Sequence, residues 1–309
     1  MNILVLMTDQ QRFDMLGCSG NPTIQTPNLD AFAARSLRFS QACCATPVCI
    51  ASRHCFMTGL RARQHHWVGN YSLPGPLPEL PTLMTLLQEQ GCHTHAVGKM
   101  HFNGRHYGLE THERMEECCD ARIDDDYLMY LNRQGIRTRF PQGLRDLLYY
   151  QPQTCGIPEE HSQNRWVANR AIECLREHTR HRKGKPLFLW ASWIAPHPPF
   201  APCEPYDVLY SPDDMPEPVF PERPLSTLPA VVWGHRARLD GAHRDPDRIR
   251  RIRALYQGQV SHVDSCVGEV LEELDTLGLS EDTAVIFTSD HGDMLGDHGL
   301  SQKNVPYEA

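Results

Sequence analysis

Long hydrophobic runs are absent from this chain of 309 residues. Residues 2–7 are apolar, but the run is far too short for a signal sequence or a membrane span, and no basic segment precedes it. No other run is long enough to cross a bilayer. We therefore expect no membrane partner and a cytoplasmic location.

The chain also lacks an excess of positive charge, because its formal net charge is −8. Nucleic acids and anionic membrane surfaces are disfavoured partners for such a chain. An anionic substrate would need a locally positive pocket within this negative molecule. We therefore expect no nucleic-acid partner.

Paired metal-finger spacings are missing from the twelve cysteines, and the chain is too long for a small fold stapled by disulfides. Mostly free thiols in a reducing cytoplasm are the default expectation. What the chain does contain is 40% hydrophobic and 22% charged residues, a composition typical of a packed core. The length allows one large α/β domain or two smaller ones.

Apolar runs alternate with amphipathic segments along the chain. We expect strands at residues 3–7, 93–97, 187–194 and 283–289, with helices between them and a long helix at 248–277. This alternation predicts an α/β fold with a mostly parallel central sheet flanked by helices.

Two long stretches show no periodic pattern. Residues 100–158 are expected to be irregular, and residues 196–246 to form a long loop insertion rich in proline and arginine. Long loops of this kind commonly cap a site.

Charged and imidazole side chains follow the expected strands. Asp9, Lys99, His197 and Asp290 each lie just beyond the end of one. Parallel α/β sheets bind ligands beyond the carboxyl ends of their strands. One rim of the sheet should therefore bring these four residues together.

Oxygen donors dominate two of these strand ends. Asp9 and Gln10 follow the first strand, and Asp290 and His291 follow the last. Hard oxygen donors with one imidazole suit Ca²⁺, Mg²⁺ or Mn²⁺ better than a thiolate zinc site. We expect one divalent metal here, with Ca²⁺ preferred and Mn²⁺ or Mg²⁺ as alternatives.

Cys49 opens a helix-like run, and Arg53 follows four residues later on the same face. A helix start and a guanidinium both favour a thiolate or another anion at this position. Further cations and donors are present at Lys99, His101, His197 and Lys303. A divalent metal ringed by such groups would hold a tetrahedral oxyanion, with the nucleophile at residue 49.

The ordered set of motifs resembles the sulfatase family, part of the larger alkaline-phosphatase-like group. Cys49 to Arg53, followed by Thr58-Gly59, resembles the signature in which a cysteine becomes formylglycine. Other segments resemble the two metal pairs and the substrate-binding segments of the family: Asp9-Gln10, Gly98 to His101, Ala195 to Phe200, Thr288 to Gly292, and Lys303. The resemblance covers most of the chain and implies an alkaline-phosphatase-like catalytic domain over residues 1–309.

That resemblance implies hydrolysis of a small anionic sulfate ester. A formylglycine-generating maturation enzyme would oxidise Cys49 to an aldehyde, and the hydrated aldehyde would attack sulfur. Residue 49 would also bind the metal, together with Asp9, Gln10, Asp290 and His291.

Roles for the other motif residues follow from the same resemblance. Arg53 would stabilise the hydrated aldehyde, and His101 would orient or deprotonate it. Lys99 and Lys303 would clamp the oxygens of the substrate. His197 would bind the substrate and help to protonate the leaving alcohol. Asn70 would also face the substrate.

Three features depart from the common family pattern. Ala51 stands where the modification signature usually has proline. Gln10 with His291 resembles the branch of phosphonate monoester hydrolases and choline-type sulfatases. The chain ends at Ala309, whereas the family normally continues into a smaller C-terminal subdomain, so we expect that subdomain to be missing. An uncovered sheet edge would then favour low stability or a homo-oligomer.

Three alternatives to a sulfatase remain. The same site could hydrolyse a phosphonate monoester or a phosphodiester. A truncated chain, unmodified at Cys49, could bind anions without catalysis. A cysteine hydrolase that uses the thiolate is disfavoured, because the carboxylates indicate a metal and no orienting triad is evident.

Overall fold

A computed structural model describes residues 1–102, 106–117, 125–145, 150–181, 184–220, 245–305 and 307. The strands of its sheet are β1 (Asn2–Asp9), β2 (His93–Gly98), β3 (Thr111–Arg114), β4 (Leu187–Pro196) and β5 (Thr283–Ser289). The helices are α1 (Pro27–Ala34), α2 (Cys49–Thr58), α3 (Ala62–His65), α4 (Leu83–Glu89), α5 (Asp126–Arg133), α6 (Gln163–His181) and α7 (Pro246–Thr276). In these ranges, none of the helices combines the length and apolarity that a membrane span requires.

The strands form one sheet in the order β3-β2-β4-β1-β5, and every neighbouring pair is parallel. The central strands β1 and β4 are almost continuously apolar and buried, as expected for a parallel sheet covered on both faces. The expected α/β fold with a mostly parallel sheet flanked by helices is therefore confirmed.

Alternation along β1 divides the core into two layers. Leu4 and Leu6 pack in a cluster with residues of α6 and α7, whereas Val5 and Met7 pack on the other face with residues of α2 and α4. Successive side chains of a strand point to opposite faces, so one apolar run supplies both layers. The sheet is thus held between two helical layers, which fixes the positions of its strand ends.

Strand register places the functional side chains at one rim. Thr8 pairs with Ser289, so the residues that follow them, Asp9 and Asp290, are neighbours. Asp9 also pairs with Pro196, immediately before His197. The chemistry-bearing residues are therefore neighbours because of strand pairing, although they are far apart in sequence.

The expectation of an irregular segment at residues 100–158 is wrong in two places. The segment contains β3, which pairs with β2, and α5, which buries Tyr127, Leu128 and Leu131. The sequence of β3, Thr-His-Glu-Arg, has no apolar alternation because it lies at the edge of the sheet. Tertiary pairing, rather than local pattern, makes it a strand.

The proposed loop insertion at residues 196–246 is described only in part. Pro196 ends β4, a short 3-10 turn forms at Pro212–Asp214, and Pro246 already belongs to α7. Residues 221–244 lie outside the described part of the chain. The division of residues 1–309 into one catalytic domain with this insertion stays a prediction.

Candidate active site

Cys49 is the first residue of α2 and is fully buried. Its Sγ lies 3.0 Å from Lys303 Nζ and 3.2 Å from His291 Nε2. Asp9 Oδ1 is 3.7 Å from the same sulfur. The side chain at position 49 thus faces a cation, an imidazole and a carboxylate at once, and the helix start adds a positive dipole end.

Four side chains around this point could ligate one cation. Ligand atoms of Asp9, Cys49, Asp290 and His291 all lie within 4.8 Å of one another, and all four residues are buried. His291 Nδ1 lies 3.0 Å from the carbonyl oxygen of Gly292, to which it donates, so Nε2 faces the centre of the group. Two carboxylates and an inward imidazole nitrogen fit a divalent cation.

Asp290 and residue 49 favour a positive charge at the position of His291. Burial lowers the pKa of His291, but Asp290 and residue 49 outweigh burial and raise that pKa to about 9. A proton on His291 is one way to neutralise the carboxylates. A cation in the same place would neutralise them without that proton, because metal and proton compete for the imidazole nitrogen.

Gln10 directs its amide oxygen into the cluster. Its backbone has φ 66°, a left-handed conformation that turns the chain sharply after β1. Its Nε2 donates to Asp293, while its Oε1 accepts from Lys303 Nζ at 2.7 Å. Asp293 thereby fixes the orientation of the amide, and the oxygen is the atom available to a cation.

Arg53 contacts the carboxylates of both Asp9 and Asp290. Its Nε donates to Asp290 at 2.8 Å, and its Nη2 lies 3.3 Å from Asp9 Oδ2. Its Nη1 donates to Ser192 Oγ at 2.9 Å. Burial lowers the pKa of Arg53, but Asp290 and Asp9 raise it further, so the guanidinium stays charged.

Lys99 enters the site because Gly98 brings β2 close to β4. Gly98 has φ 95°, and a Cβ there would lie 2.0 Å from the carbonyl oxygen of Ser192. The Nζ of Lys99 contacts Asp9 and lies 2.9 Å from Glu117 Oε2. Burial lowers the pKa of Lys99, but Asp9, residue 49 and Glu117 raise it well above its usual range.

Both predicted histidines lie against Glu117. His197 Nε2 is 3.1 Å from Glu117 Oε2, and His101 Nε2 is 3.7 Å from Oε1. Burial and then Lys99 lower the pKa of His101 to about 3, so its imidazole is neutral at neutral pH. Glu117 therefore joins the two histidines to Lys99.

Asn70 lies beside the start of α2. Its Oδ1 accepts a hydrogen bond from the backbone N–H of Ile50 at 3.2 Å. It stands in a short hairpin closed by the bridge between Trp67 and Ser72, and its side chain is exposed. The hairpin presents Asn70 next to the nucleophile position, with a free face toward solvent.

The structure brings the eleven residues selected from sequence into one region. Eight of them form a continuous network of contacts around residue 49: Asp9, Gln10, Cys49, Arg53, Lys99, Asp290, His291 and Lys303. His101 and His197 join this network through Glu117. Asn70 joins through the backbone of Ile50. Their roles in catalysis stay predictions.

Sequence reasoning missed three residues that shape the site. Asp293 stands three positions after Asp290, so the motif itself could have indicated it. Tyr150 donates to Asp293 at 2.8 Å, but no local pattern marks it. Glu117 lies in the segment expected to be irregular, and only the pairing of β3 reveals its place.

Comparisons with known proteins support the resemblance to the sulfatase family. The family model described as Sulfatase matches residues 1–309. An arylsulfatase of Clostridium perfringens is 30% identical, over 99% of this chain and 66% of its own length. The multifunctional alkaline phosphatase superfamily protein PehA of Trinickia caryophylli is 29% identical, over 100% of this chain and 66% of its own. This chain thus spans about two thirds of the length of these two curated relatives.

A solved structure gives the same result for the fold. The phosphonate monoester hydrolase of Agrobacterium radiobacter superimposes with a TM-score of 0.86 at 23% identity. The match covers 99% of this chain and 66% of the other. The expected resemblance and its alkaline-phosphatase-like fold are confirmed, and the chain belongs to the sulfatase family.

Proposed function

We propose that this protein hydrolyses a sulfate ester to an alcohol and inorganic sulfate, with a nucleophile derived from Cys49. One observation carries the proposal: the buried side chain at position 49 lies 3.0 Å from Lys303 and 3.2 Å from His291. Its other neighbours are the carboxylates that could bind a cation. A buried anion site beside such a centre suits a tetrahedral oxyanion.

A divalent metal supports this chemistry when bound, because it polarises the reacting oxygens and neutralises their charge. Asp9, Gln10, Asp290, His291 and residue 49 would hold it, with Ca²⁺ preferred over Mn²⁺ and Mg²⁺. Arg53 forms ion pairs with both Asp9 and Asp290 and so aligns the two carboxylates.

Lys99, Lys303 and His197 bind the substrate in this proposal. Lys303 contacts residue 49, Lys99 contacts Asp9 and His197 contacts Glu117, and all three side chains are buried. The bond between sulfur and the bridging oxygen breaks, and water supplies the hydroxyl that ends on sulfur. His197 delivers a proton to the departing oxygen, because alcohols leave poorly as alkoxides.

Formylglycine at position 49 would supply a hydroxyl nucleophile and release sulfate by returning to the aldehyde. A separate maturation enzyme would make it from the thiol, and Ala51 lies within the segment that this enzyme would read. A cytoplasmic location stays a prediction from composition.

A second candidate is hydrolysis of a phosphonate monoester or phosphodiester at the same site. Gln10 with its amide oxygen held inward by Asp293 is the observation that favours it. PehA and the phosphonate monoester hydrolase are among the proteins that this chain resembles. A third reading, an anion-binding protein without activity, requires Cys49 to remain a thiol.

A side-by-side assay separates these functions. Aryl sulfate, aryl phosphonate and aryl phosphodiester with one shared leaving group are offered to protein from its native host, with Ca²⁺ or Mn²⁺. We expect the highest kcat/KM for the sulfate. A higher value for the phosphonate or the phosphodiester would support the second candidate. Binding of sulfate without turnover of any ester would support the third.

A further inference from the structure

Glu117 is a largely buried carboxylate beside the side chains assigned to the substrate. Only 10% of its side chain is exposed. Its Oε2 lies 2.9 Å from Lys99 Nζ and 3.1 Å from His197 Nε2. Its Oε1 lies 3.7 Å from His101 Nε2 and 3.8 Å from Arg145 Nη2. One carboxylate thus contacts two of the three groups assigned to the substrate, Lys99 and His197.

Glu117 carries a full negative charge at neutral pH. Burial raises the pKa of its carboxyl, but His197 and Lys99 outweigh burial, so that this pKa lies well below its usual range. Any substrate oxygen that Lys99 and His197 bind must therefore lie beside a fixed anion. Repulsion between two neighbouring negative charges is strong in a buried site, because little water is present to screen it.

We propose that Glu117 is a specificity-determining residue that makes the site favour esters with one negative charge over esters with two. This inference rests on the proposed function. Sulfate esters, phosphonate monoesters and phosphodiesters carry one charge, whereas a phosphate monoester carries two at mildly alkaline pH. Glu117 repels the single negative charge of every substrate. It repels a phosphate monoester more strongly, because that ester carries a second negative charge.

The test compares wild type with Glu117→Gln, which removes the charge and keeps the shape. Three aryl esters with the same leaving group are used: a sulfate, a phosphonate monoester and a phosphate monoester. The phosphonate distinguishes the effect of substrate charge from the effect of replacing sulfur by phosphorus. It contains phosphorus, like the phosphate, but carries one negative charge, like the sulfate. We expect the kcat/KM ratio of phosphate to phosphonate to rise about tenfold or more in the variant. The ratio of phosphonate to sulfate should stay constant.

Glu113→Gln is the matched control. Glu113 lies on β3, four residues before Glu117, and pairs with Arg170 instead of the groups that Glu117 contacts. This variant should keep the wild-type ratios. Glu117→Asp keeps the charge and should also retain them, and Glu117→Ser replaces the glutamine variant if that variant does not fold.

Other outcomes overturn the inference. If Glu117→Gln changes kcat/KM equally for the three esters, the carboxylate affects access to the site or the position of its side chains, and it does not discriminate between substrates by their charge. If Glu117→Asp shifts the ratio as much as Glu117→Gln, geometry rather than charge is responsible.

The proposed function can fail separately. If the wild type turns over none of the esters, the sulfatase proposal fails. The dissociation constants of the same three esters, measured by calorimetry, then test Glu117. Selective tightening of the phosphate monoester in Glu117→Gln supports the inference, and equal changes for all three esters overturn it.

Discussion

At the scale of single residues, Lys303 connects the nucleophile position to the metal cluster. Its Nζ contacts both Cys49 Sγ and Gln10 Oε1, at 3.0 and 2.7 Å. Burial lowers the pKa of Lys303, but residue 49 and Asp9 outweigh burial and raise it. The ammonium group therefore stays charged at neutral pH, ready to bind an oxyanion.

We expect Lys303→Ala to reduce kcat/KM about a hundredfold or more, because a preorganised charge at a developing oxyanion is worth several kcal/mol. Thermal unfolding should change far less, because the hydrogen-bond partners of Lys303 among the described residues are Gln10 and residue 49, so its loss does not break a direct buried ion pair with a carboxylate there. His197→Ala should behave in the same way. Steady-state kinetics and a melt of each variant measure both effects.

Lys185→Ala is the control, because Lys185 is exposed and lies away from the site. Unchanged turnover in Lys303→Ala, or a loss of activity matched by a loss of folded protein, would contradict the assigned role.

The role of Asp293 in orienting the Gln10 amide can also be tested by a single substitution. It accepts from Gln10 Nε2 and so turns the amide oxygen toward the cation position. We expect Asp293→Asn to weaken binding of Ca²⁺ or Mn²⁺ about tenfold to a hundredfold, as outer residues that orient metal ligands commonly do. Calorimetric titration of the metal measures this directly.

Asp213→Asn, at an exposed residue of a 3-10 turn, is the control for that titration. Asparagine at position 293 keeps one acceptor oxygen. That oxygen can accept either from Gln10 or from the backbone N–H groups of Leu295 and Gln302, so the melt of the variant is recorded as well. Unchanged metal affinity in a folded Asp293→Asn protein would refute the orienting role.

At the scale of elements, the strand ends were predictable and the segments between them were not. The apolar runs of β1, β2, β4 and β5 are plain in sequence. From these runs alone, one rim of the sheet is predicted to carry Asp9, Lys99, His197 and Asp290. Strand β3 has no such run. It becomes a strand by pairing with β2. Because Glu117 follows β3, its position could not be predicted from the sequence.

The close approach of β2 to β4 can be tested at Gly98. An alanine there would need φ 95° and would place its Cβ 2.0 Å from the carbonyl oxygen of Ser192. We expect Gly98→Ala to lower the free energy of unfolding by about 2–5 kcal/mol, through backbone strain and overpacking together. Denaturation with urea measures this.

Gly91→Ala is a matched control, because Gly91 has φ 78° but open space around the added Cβ. It should cost about 1–2 kcal/mol, the backbone contribution alone. Equal losses at the two positions would mean that β2 and β4 are not in close contact at Gly98.

At the scale of the whole molecule, β5 forms one edge of the described sheet. Within the described residues β5 pairs with β1 alone, and Ile286 at its centre is 43% exposed. Exposed apolar edge strands favour pairing with other chains. Both features fit the expectation of association, which stays a prediction.

We expect the chain to associate as its concentration rises, and Ile286→Lys to reduce that association, because a charge on an edge strand opposes pairing. Leu86→Lys is the control, since Leu86 is 50% exposed but belongs to α4 rather than to the sheet edge. Sedimentation velocity over a concentration series measures the effect. A monomer with a sharp cooperative melt at every concentration would contradict this expectation.

The central claim is that residue 49 carries the nucleophile of a sulfate ester hydrolase. Mass spectrometry of the tryptic peptide from Phe39 to Arg53, taken from protein made in its native host, tests it most directly. Formylglycine at position 49 is the result that this account predicts. An intact thiol at Cys49 would contradict it, and a protein that binds anions without catalysis would then be the better description.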